Sequence, residues 1–272
     1  MNSIDADWVT IVTITRDRTQ LLKRAIKSVR AQDYDGPLAH LVVIDRCFPT
    51  LQFIKTLRSS AIAFRWYVEK NKDLSVYGHI AALRNFGVQE SRTKWISFLD
   101  DDDELEKNHI SSLVSCARES NCRAVHSYMQ ILTEDGLPYL EPKHPWTRDP
   151  VKAKETYEKL RKQGVFQLGS NIAKDRVDSL DHPDPVRSVD MSEWLFERSL
   201  LLDFPFDTDY DLNDWTSVTT DDDKFLNTLV AQRIPVACTK LPTFKYYLGG
   251  HSNNFRKYSQ FAYDPVTRSG PE

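Results

Sequence analysis

The sequence predicts an α/β protein with a mostly parallel, twisted sheet flanked by helices. The alternation of strand-like and helix-like segments indicates this class. Short apolar runs rich in β-branched residues alternate with helix-like segments through the first 132 residues, and parallel strands need such crossover helices, which then cover both faces of the sheet. A chain of 272 residues can also bury a large core. The net charge of −3 argues against binding that depends mainly on neutralising a phosphate backbone.

The first elements follow from local patterns. The run VTIVTIT at 9–15 predicts a strand, because β-branched residues favour extended backbone. Residues 17–32 place apolar side chains at helical spacing opposite lysines and arginines, which predicts a helix capped by Asp17 or Thr19. The same patterns predict strands at 40–45, 64–69, 95–99 and 124–132, and helices at 78–91 and 109–120.

The second half changes character. Residues 135–188 carry many prolines and charges, with one polar helix predicted at about 152–163. They have too few apolar residues for a core of their own, so we expect an inserted excursion and not a second domain. The pattern resumes at 191–202, with a helix at about 222–232 and an apolar run at 235–242. We expect a single domain over 1–254 and a polar tail at 255–272.

Five acidic side chains follow the apolar run WISFL, in the stretch WISFLDDDDEL at 95–105. In open α/β sheets ligands bind at the carboxyl ends of strands, where Asp45 also falls. Alternation along an extended segment puts Asp100 and Asp102 on one side and Asp101 on the other. Two carboxylates in one pocket suit Mg²⁺ or Mn²⁺. The alternative is a solvated acidic turn, with Asp103 or Glu104 capping the next helix.

A second acidic cluster, Asp221 to Asp223, stands where a helix is predicted to begin. Acidic residues favour a first helical turn, and one aspartate is a good cap. The other interpretation is a general base, since a carboxylate among carboxylates has raised proton affinity. A metal site together with a base would suit group transfer from a nucleotide-activated donor.

At this point the residues resemble the family 2 glycosyltransferases with the GT-A fold. Four segments carry the resemblance: the opening strand, loop and helix at 9–32, LVVID at 41–45, the segment from Gly78 through the DxD-like acids at 78–105, and TTDDDKFLNTLV at 219–230. The resemblance covers about 9–132 closely and 190–254 loosely. It implies a nucleotide-sugar-binding half at 9–132 and an acceptor-binding half at 133–254. By analogy with variable loops over a fixed sheet, we expect the excursion at 135–188 to recognise the acceptor.

The resemblance implies an inverting, metal-assisted sugar transfer from a nucleoside-diphosphate sugar, with a UDP-sugar favoured. Asp222 is the expected base, although three aspartates in a row leave Asp221 and Asp223 open. Asp102 and Asp100 would hold Mn²⁺ or Mg²⁺, and His251, in a Gly-Gly-His-Ser loop, is a further metal candidate. The residues expected to bind the donor nucleotide are Thr15, Arg16, Arg18, Asp45, Arg84, Asp100 and Asp101.

Several points stay open at this stage. The second strand keeps one acid, Asp45, where the family usually has two followed by Gly-Ser, so the nucleobase is undetermined. Arg84 would reach the diphosphate or the acids, or form only a surface salt bridge. Trp194 is a candidate for stacking on an acceptor sugar. The alternative functions are a nucleotidyltransferase, a phosphatase and a sugar-nucleotide-binding protein without transfer, although TRDRTQ at 15–20 lacks the glycines of a phosphate loop.

The sequence and the resemblance also give expectations for the binding partners and the cellular location of the protein. The partners are a nucleoside-diphosphate sugar and an acceptor of unknown class, which could be a glycan, lipid-linked sugar, protein, metabolite or nucleic acid. No signal peptide and no apolar run near 18 residues is evident. Four cysteines match no CxxC site. We therefore expect a cytoplasmic enzyme, with peripheral membrane contact and homodimer formation left open.

Overall fold

The computed structural model describes residues 7–57, 62–69, 74–217 and 219–250. The expected α/β class is confirmed. One large sheet has the strand order β3-β2-β1-β4-β10-β6-β11-β5, and β7 pairs with β6. Its strands are β1 (Val9–Thr15), β2 (Leu38–Asp45), β3 (Ile62–Tyr67), β4 (Trp95–Phe98), β5 (Glu104–Leu105), β6 (Ala124–Leu132), β7 (Ile172–Ala173), β10 (Trp194–Glu197) and β11 (Val236–Tyr247); β8 (Arg176–Val177) and β9 (Arg187–Ser188) form a separate pair.

The first four sheet neighbours, β3, β2, β1 and β4, are parallel, as the alternation of strands and helices predicts. The later strand β10 is antiparallel and lies between β4 and β6. Residues 191–202 therefore supply three elements: a 3-10 turn at Met191–Glu193, then β10, then the helix α6 (Arg198–Asp203). This arrangement brings the chain back to the centre of the sheet, next to the strand that carries the acidic cluster.

The helices are α1 (Thr19–Arg30), α2 (Phe48–Thr56), α3 (Val76–Glu90), α4 (His109–Ser120), α5 (Pro150–Lys162), α6, α7 (Leu212–Ser217) and α8 (Asp221–Ala231). The caps expected for α1 are wrong: its N-cap is Arg18, and Asp17 takes left-handed backbone with φ 54°. Neither Asp103 nor Glu104 caps α4, whose N-cap is Asn108. The pattern missed α2, since only nine residues form it and proline stands in its first turn.

The chain forms two compact units: one spans Met1–Gln130 and Ile172–Tyr246, the other Ile131–Asn171 and Tyr247–Glu272. The first contains most of the sheet. The second contains α5, whose buried Tyr157 stacks on Phe166 with ring centroids 5.3 Å apart. The expectation of a single domain over 1–254 stays a prediction. Within the described ranges, no helix has both the length and the apolar character needed to cross a bilayer.

The main core lies between the sheet and the helices α3, α6 and α8. Trp194 belongs to this core. It is fully buried and stacks on Phe196, with ring centroids 4.9 Å apart. The expectation that Trp194 stacks on an acceptor sugar is therefore wrong, because its faces are occupied by the protein interior.

Gly87 lets α3 approach the sheet closely. A Cβ atom at this position would stand 2.5 Å from Cγ1 of Val12, a buried β-branched residue in β1. We expect Gly87→Ala to destabilise the fold by about 1 kcal/mol, because overpacking of ~1–3 kcal/mol exceeds the gain in helix propensity of ~1 kcal/mol. Denaturant unfolding of Gly87→Ala, Val12→Ala and the double variant tests this. Simple additivity of the two changes would contradict the close contact.

Candidate active site

The acidic cluster lies directly beyond β4, at the carboxyl ends of the parallel strands. Asp101 and Asp103 are only 3% and 2% exposed. The interpretation of the cluster as a solvated turn is therefore wrong for these two residues. Buried carboxylates need partners or neutralisation. Partners come from the end of β1, the loop that follows it and α1.

Three side chains in this region hold Asp101 and Asp102: Thr15 at the end of β1, Arg18 in the loop that follows, and Arg24 in α1. Thr15 Oγ1 donates to Asp101 Oδ2 at 2.7 Å, and Arg18 Nη1 donates to Asp101 Oδ1 at 2.7 Å. The other guanidinium nitrogen of Arg18 donates to Asp102, and Arg24 donates to the backbone carbonyl of Asp102. Burial raises the pKa of Asp101 to about 7 although Arg18 acts in the opposite direction. Of the expected nucleotide contacts, Thr15, Arg18 and Asp101 thus meet one another.

A candidate metal centre is formed by three of these carboxylates. One carboxylate oxygen each from Asp100, Asp102 and Asp103 lies within 4.8 Å of the others. An all-oxygen, anionic donor set of this kind fits a hard cation such as Mg²⁺ or Mn²⁺. Asp103 was not among the expected ligands. His251, which was, lies outside the described residues.

Arg84 connects this cluster to the second one. Its Nη1 donates to Asp221 and to Asp222, and its Nη2 lies 3.6 Å from Asp100 Oδ1. The Arg84 side chain is only 5% exposed, so the surface-salt-bridge interpretation is wrong. Burial alone would lower the pKa of Arg84, but the three carboxylates outweigh it and raise that pKa. A fixed, always charged guanidinium is well suited to join several buried carboxylates.

The three aspartates at the start of α8 have different surroundings. Asp221 is 5% exposed and Asp222 is 24% exposed at the side chain. Asp223 exchanges hydrogen bonds with Thr220, the helix N-cap, and so completes a capping box. Burial raises the pKa of Asp221 to about 7, against the influence of Arg84. Asp222 is therefore the member of the three that combines an accessible side chain with contact to Arg84.

The turn Met191–Glu193 was missed as part of the site. The Met191 amide donates to Asp222 Oδ2 at 3.2 Å, and Ser192 Oγ accepts from the Asp100 amide at 3.2 Å. One short turn thus contacts both acidic clusters. Its sequence signal is the pair Asp190 and Glu193, which form a capping box. That spacing was visible in the sequence, but a capping box alone indicates only where a helix begins.

Two buried acids support this turn from the other side. Glu193 accepts from the Asp190 amide at 3.0 Å through Oε1, and its side chain is a neighbour of Asp175. Burial raises the pKa of Asp175 to about 7 and raises that of Glu193 well above its usual range. Two adjacent carboxyl groups in an apolar environment are stable when they share a proton.

We expect Glu193→Gln to flatten the dependence of stability on pH. An acid whose pKa is higher in the folded state binds more protons there, so wild-type stability falls as pH rises from about 4 towards 7. The amide cannot ionise and can donate to Asp175. Thermal unfolding between pH 4.5 and 8 measures the slope. The control is Glu197→Gln, which alters a carboxylate paired with Arg123 at 3.0 Å. This variant should leave the slope of stability against pH unchanged.

Asp45, at the end of β2, is surrounded by cationic or polar groups. Arg46 Nε donates to Asp45 Oδ1 at 2.7 Å, His79 Nε2 lies 3.1 Å from Oδ2, and Arg16 Nη1 lies 3.5 Å from Oδ2. Burial would raise the pKa of Asp45, but hydrogen bonds from His79 and Arg46 outweigh it and hold the pKa well below the usual range. Sequence reasoning identified Asp45 and Arg16 but missed Arg46 and His79.

Comparisons with known proteins identify a family and several relatives. The family model for glycosyl transferase family 2 matches residues 10–173. A GalNAc(5)-diNAcBac-PP-undecaprenol beta-1,3-glucosyltransferase of Campylobacter jejuni is 26% identical over 113 residues, which cover 41% of this chain and 35% of that relative. This chain therefore spans about a third of the length of that protein.

Solved structures show the fold. TarS 1–349 of S. aureus superposes with a TM-score of 0.58 at 12% identity, covering 93% of this chain and 64% of TarS. The mannosyltransferase PcManGT of Pyrobaculum calidifontis, in complex with GDP-Man and Mn²⁺, superposes with a TM-score of 0.52 at 14% identity. The superposition covers 93% of this chain and 59% of PcManGT. The expected GT-A fold is thus confirmed. Because the family model matches more than half of the chain, the chain belongs to glycosyl transferase family 2.

Proposed function

We propose that this protein is an inverting glycosyltransferase, which moves a sugar from a nucleoside-diphosphate sugar to an acceptor hydroxyl with help from a divalent cation. The observation that carries the proposal is the position of Arg84 between Asp222 and Asp100. This position supports a common site for the candidate base and the candidate metal centre, at the carboxyl ends of the strands. Family membership supports the same reaction class.

Asp45 and its cationic neighbours are proposed to bind the nucleobase and ribose. We favour a uridine diphosphate donor, and the support is that TarS has been solved with UDP-GlcNAc. PcManGT, in contrast, was solved with GDP-Man. Arg46 stands where the family usually has a small residue after the second strand. The nucleobase of the donor would therefore meet a guanidinium at this position. Binding of donors that differ in nucleobase and in sugar therefore has to be compared directly.

Asp100, Asp102 and Asp103 would hold Mn²⁺ or Mg²⁺ on the donor diphosphate. When bound, the cation stabilises the negative charge that develops on the leaving nucleoside diphosphate. Arg18, which contacts Asp101 and Asp102, would add a positive charge beside the diphosphate. Mn²⁺ in the PcManGT complex supports the choice of cation. His251 as a further contact stays a prediction.

Asp222 is proposed as the general base. It would accept the proton of the acceptor hydroxyl while that oxygen attacks the anomeric carbon from the face opposite the diphosphate. The bond from the anomeric carbon to the diphosphate oxygen breaks as the new glycosidic bond forms, so the configuration inverts. Asp221 is less suited because Arg84 and burial enclose it, and Asp223 is less suited because Thr220 binds its carboxylate.

Acceptor recognition is proposed for the excursion at 135–188, because variable loops over a fixed sheet often select ligands. The acceptor class stays open, and the cytoplasmic location and a homodimer stay predictions. The alternative is a sugar-nucleotide-binding or nucleotidyltransferase-type protein of related fold. The accessible carboxylate of Asp222 beside Arg84 favours transfer over binding alone, since a binding protein needs no base at that position.

A donor-binding comparison tests the proposal. We expect UDP and UDP-sugars to bind with Mn²⁺ and to lose at least tenfold in affinity without it, as measured by calorimetry against GDP, CDP and dTDP. Asp102→Ala should abolish the effect of the metal, whereas Asp135→Ala, at an exposed acid, should not. Equal binding with and without metal would contradict the cation site. Binding of no nucleotide by a folded protein would contradict the function.

A further inference from the structure

A hollow of about 250 Å³ opens between α1 and α2, away from the acidic clusters. Three of its lining residues are cationic and come from one helix, and three are apolar and form the remainder of the lining. The residues are Lys23, Lys27, Arg30, Ile26, Phe53 and Leu57. Nothing in the proposed sugar transfer uses this hollow.

The three cations form one stripe along α1. Positions 23, 27 and 30 are spaced by four and three residues and therefore lie on the same helix face. Among residues 7–57, 62–69, 74–217 and 219–250, none of the three forms an ion pair with a carboxylate. Lys23 Nζ donates to Gln20 and lies 5.5 Å from the Phe53 ring centroid.

The local charge contrasts with the rest of the chain. Neither α1 nor α2 contains an acidic residue, although the whole chain has 39 acids against 36 lysines and arginines. Cations in the last turn of α1 are favoured by the helix dipole, which accounts for Lys27 and Arg30 on this helix. The dipole does not account for Lys23, nor for the apolar hollow beside all three.

We propose that the α1–α2 face docks on an anionic phospholipid membrane, with the three cations against lipid phosphates and the hollow receiving apolar parts of the lipid. Uncompensated lysines and arginines near a surface are attracted by anionic lipids. Ile26 at the base of the hollow is buried, but Phe53 and Leu57 are only partly buried. These two apolar side chains favour an amphipathic ligand over a small inorganic anion, which would leave that part of the lining unfilled. This docking is independent of sugar transfer and would add a membrane surface to the partners of the protein.

Vesicle co-sedimentation of the full chain tests the proposal. The probe is vesicles of equal parts phosphatidylglycerol and phosphatidylcholine, compared with pure phosphatidylcholine at 0.1 M salt. We expect binding to the anionic vesicles only, with weaker binding at higher salt. K23Q/K27Q/R30Q should lower the partition coefficient on the order of 100-fold. The matched control, K152Q/K154Q/K162Q on exposed positions of α5, should bind as wild type does.

Three outcomes would overturn the proposal. They are absence of binding to anionic vesicles, equal loss in the α5 control, and full displacement by millimolar inorganic phosphate, which would identify a site for small anions. Circular dichroism and UDP binding with Mn²⁺ show whether K23Q/K27Q/R30Q is folded. Vesicle binding that is lost while UDP binding persists separates this proposal from the proposed sugar transfer.

Discussion

Asp222→Asn is expected to lower the rate of sugar transfer by 10²- to 10⁴-fold, the usual effect of removing a general base. The amide keeps the size of the side chain but cannot take a proton from the acceptor. It can still accept the hydrogen bond from the Met191 amide. The donor therefore should bind with an affinity within about threefold of wild type. Single-turnover transfer and calorimetric donor binding, measured on the same preparation, check both statements.

The controls are the same change at the two neighbouring positions. Asp223→Asn removes a charge from the capping box, which costs at most ~1 kcal/mol of stability and should leave the rate of transfer near wild type. Asp221→Asn disturbs the buried pair with Arg84, so stability should fall. If Asp222→Asn transfers normally and Asp221→Asn does not, Asp221 is the base. If Asp222→Asn fails to bind donor, that carboxylate belongs to the metal centre.

Arg84→Met is expected to destabilise the protein by about 3–5 kcal/mol at pH 8, because three carboxylates lose their buried counter-charge. The pKa of Asp221 is already raised to about 7 with Arg84 in place, and the variant should raise it further. A carboxyl group with a raised pKa in the folded state destabilises increasingly as pH rises. The variant should therefore lie closest to wild type near pH 5. Urea unfolding at pH 5 and pH 8 measures both differences.

Arg65→Met is the matched control for this prediction. Its guanidinium is 48% exposed and pairs with Glu90, so its removal should cost less than ~1 kcal/mol at either pH. Arg84→Met combined with Asp221→Asn should recover part of the lost stability, since one of the uncompensated charges is removed. A loss equal at pH 5 and pH 8 would contradict the electrostatic explanation and indicate a packing defect between the Phe98 and Phe206 rings.

Much of the donor-side architecture was predictable because its signals are local. The bounds of β1, α4 and β6 are those predicted from the sequence. Periodicity of apolar residues was sufficient there, since each element buries one face. The position of β10 was not predictable in this way. A segment of four residues carries too little pattern to show which strands it joins, and its neighbours β4 and β6 are set by tertiary packing.

The candidate site was predictable where acids follow strands, as at Asp45 and Asp100 to Asp103. The cations that hold these acids were harder to assign. Arg84 was expected near the acids or on the surface, and only the packed helix α3 decides between the two. His79, from the same helix, reaches Asp45 across 34 positions of sequence. Contacts of that separation leave no periodic signal, because any helical residue could face the sheet edge.

The insertion of β10 between β4 and β6 also bears on how the chain acquires its structure during synthesis. Until residue 197 has left the ribosome, β4 and β6 lack the strand that separates them, and β11, the other neighbour of β6 in the strand order, is synthesised later still. Both strands therefore expose unpaired backbone groups. The stretch matched by the family model ends at residue 173 and thus stops before that strand. The matched stretch therefore lacks two strands of the large sheet, β10 and β11. Fragments that end there should aggregate or recruit chaperones, because long-range pairing must wait for the missing strand.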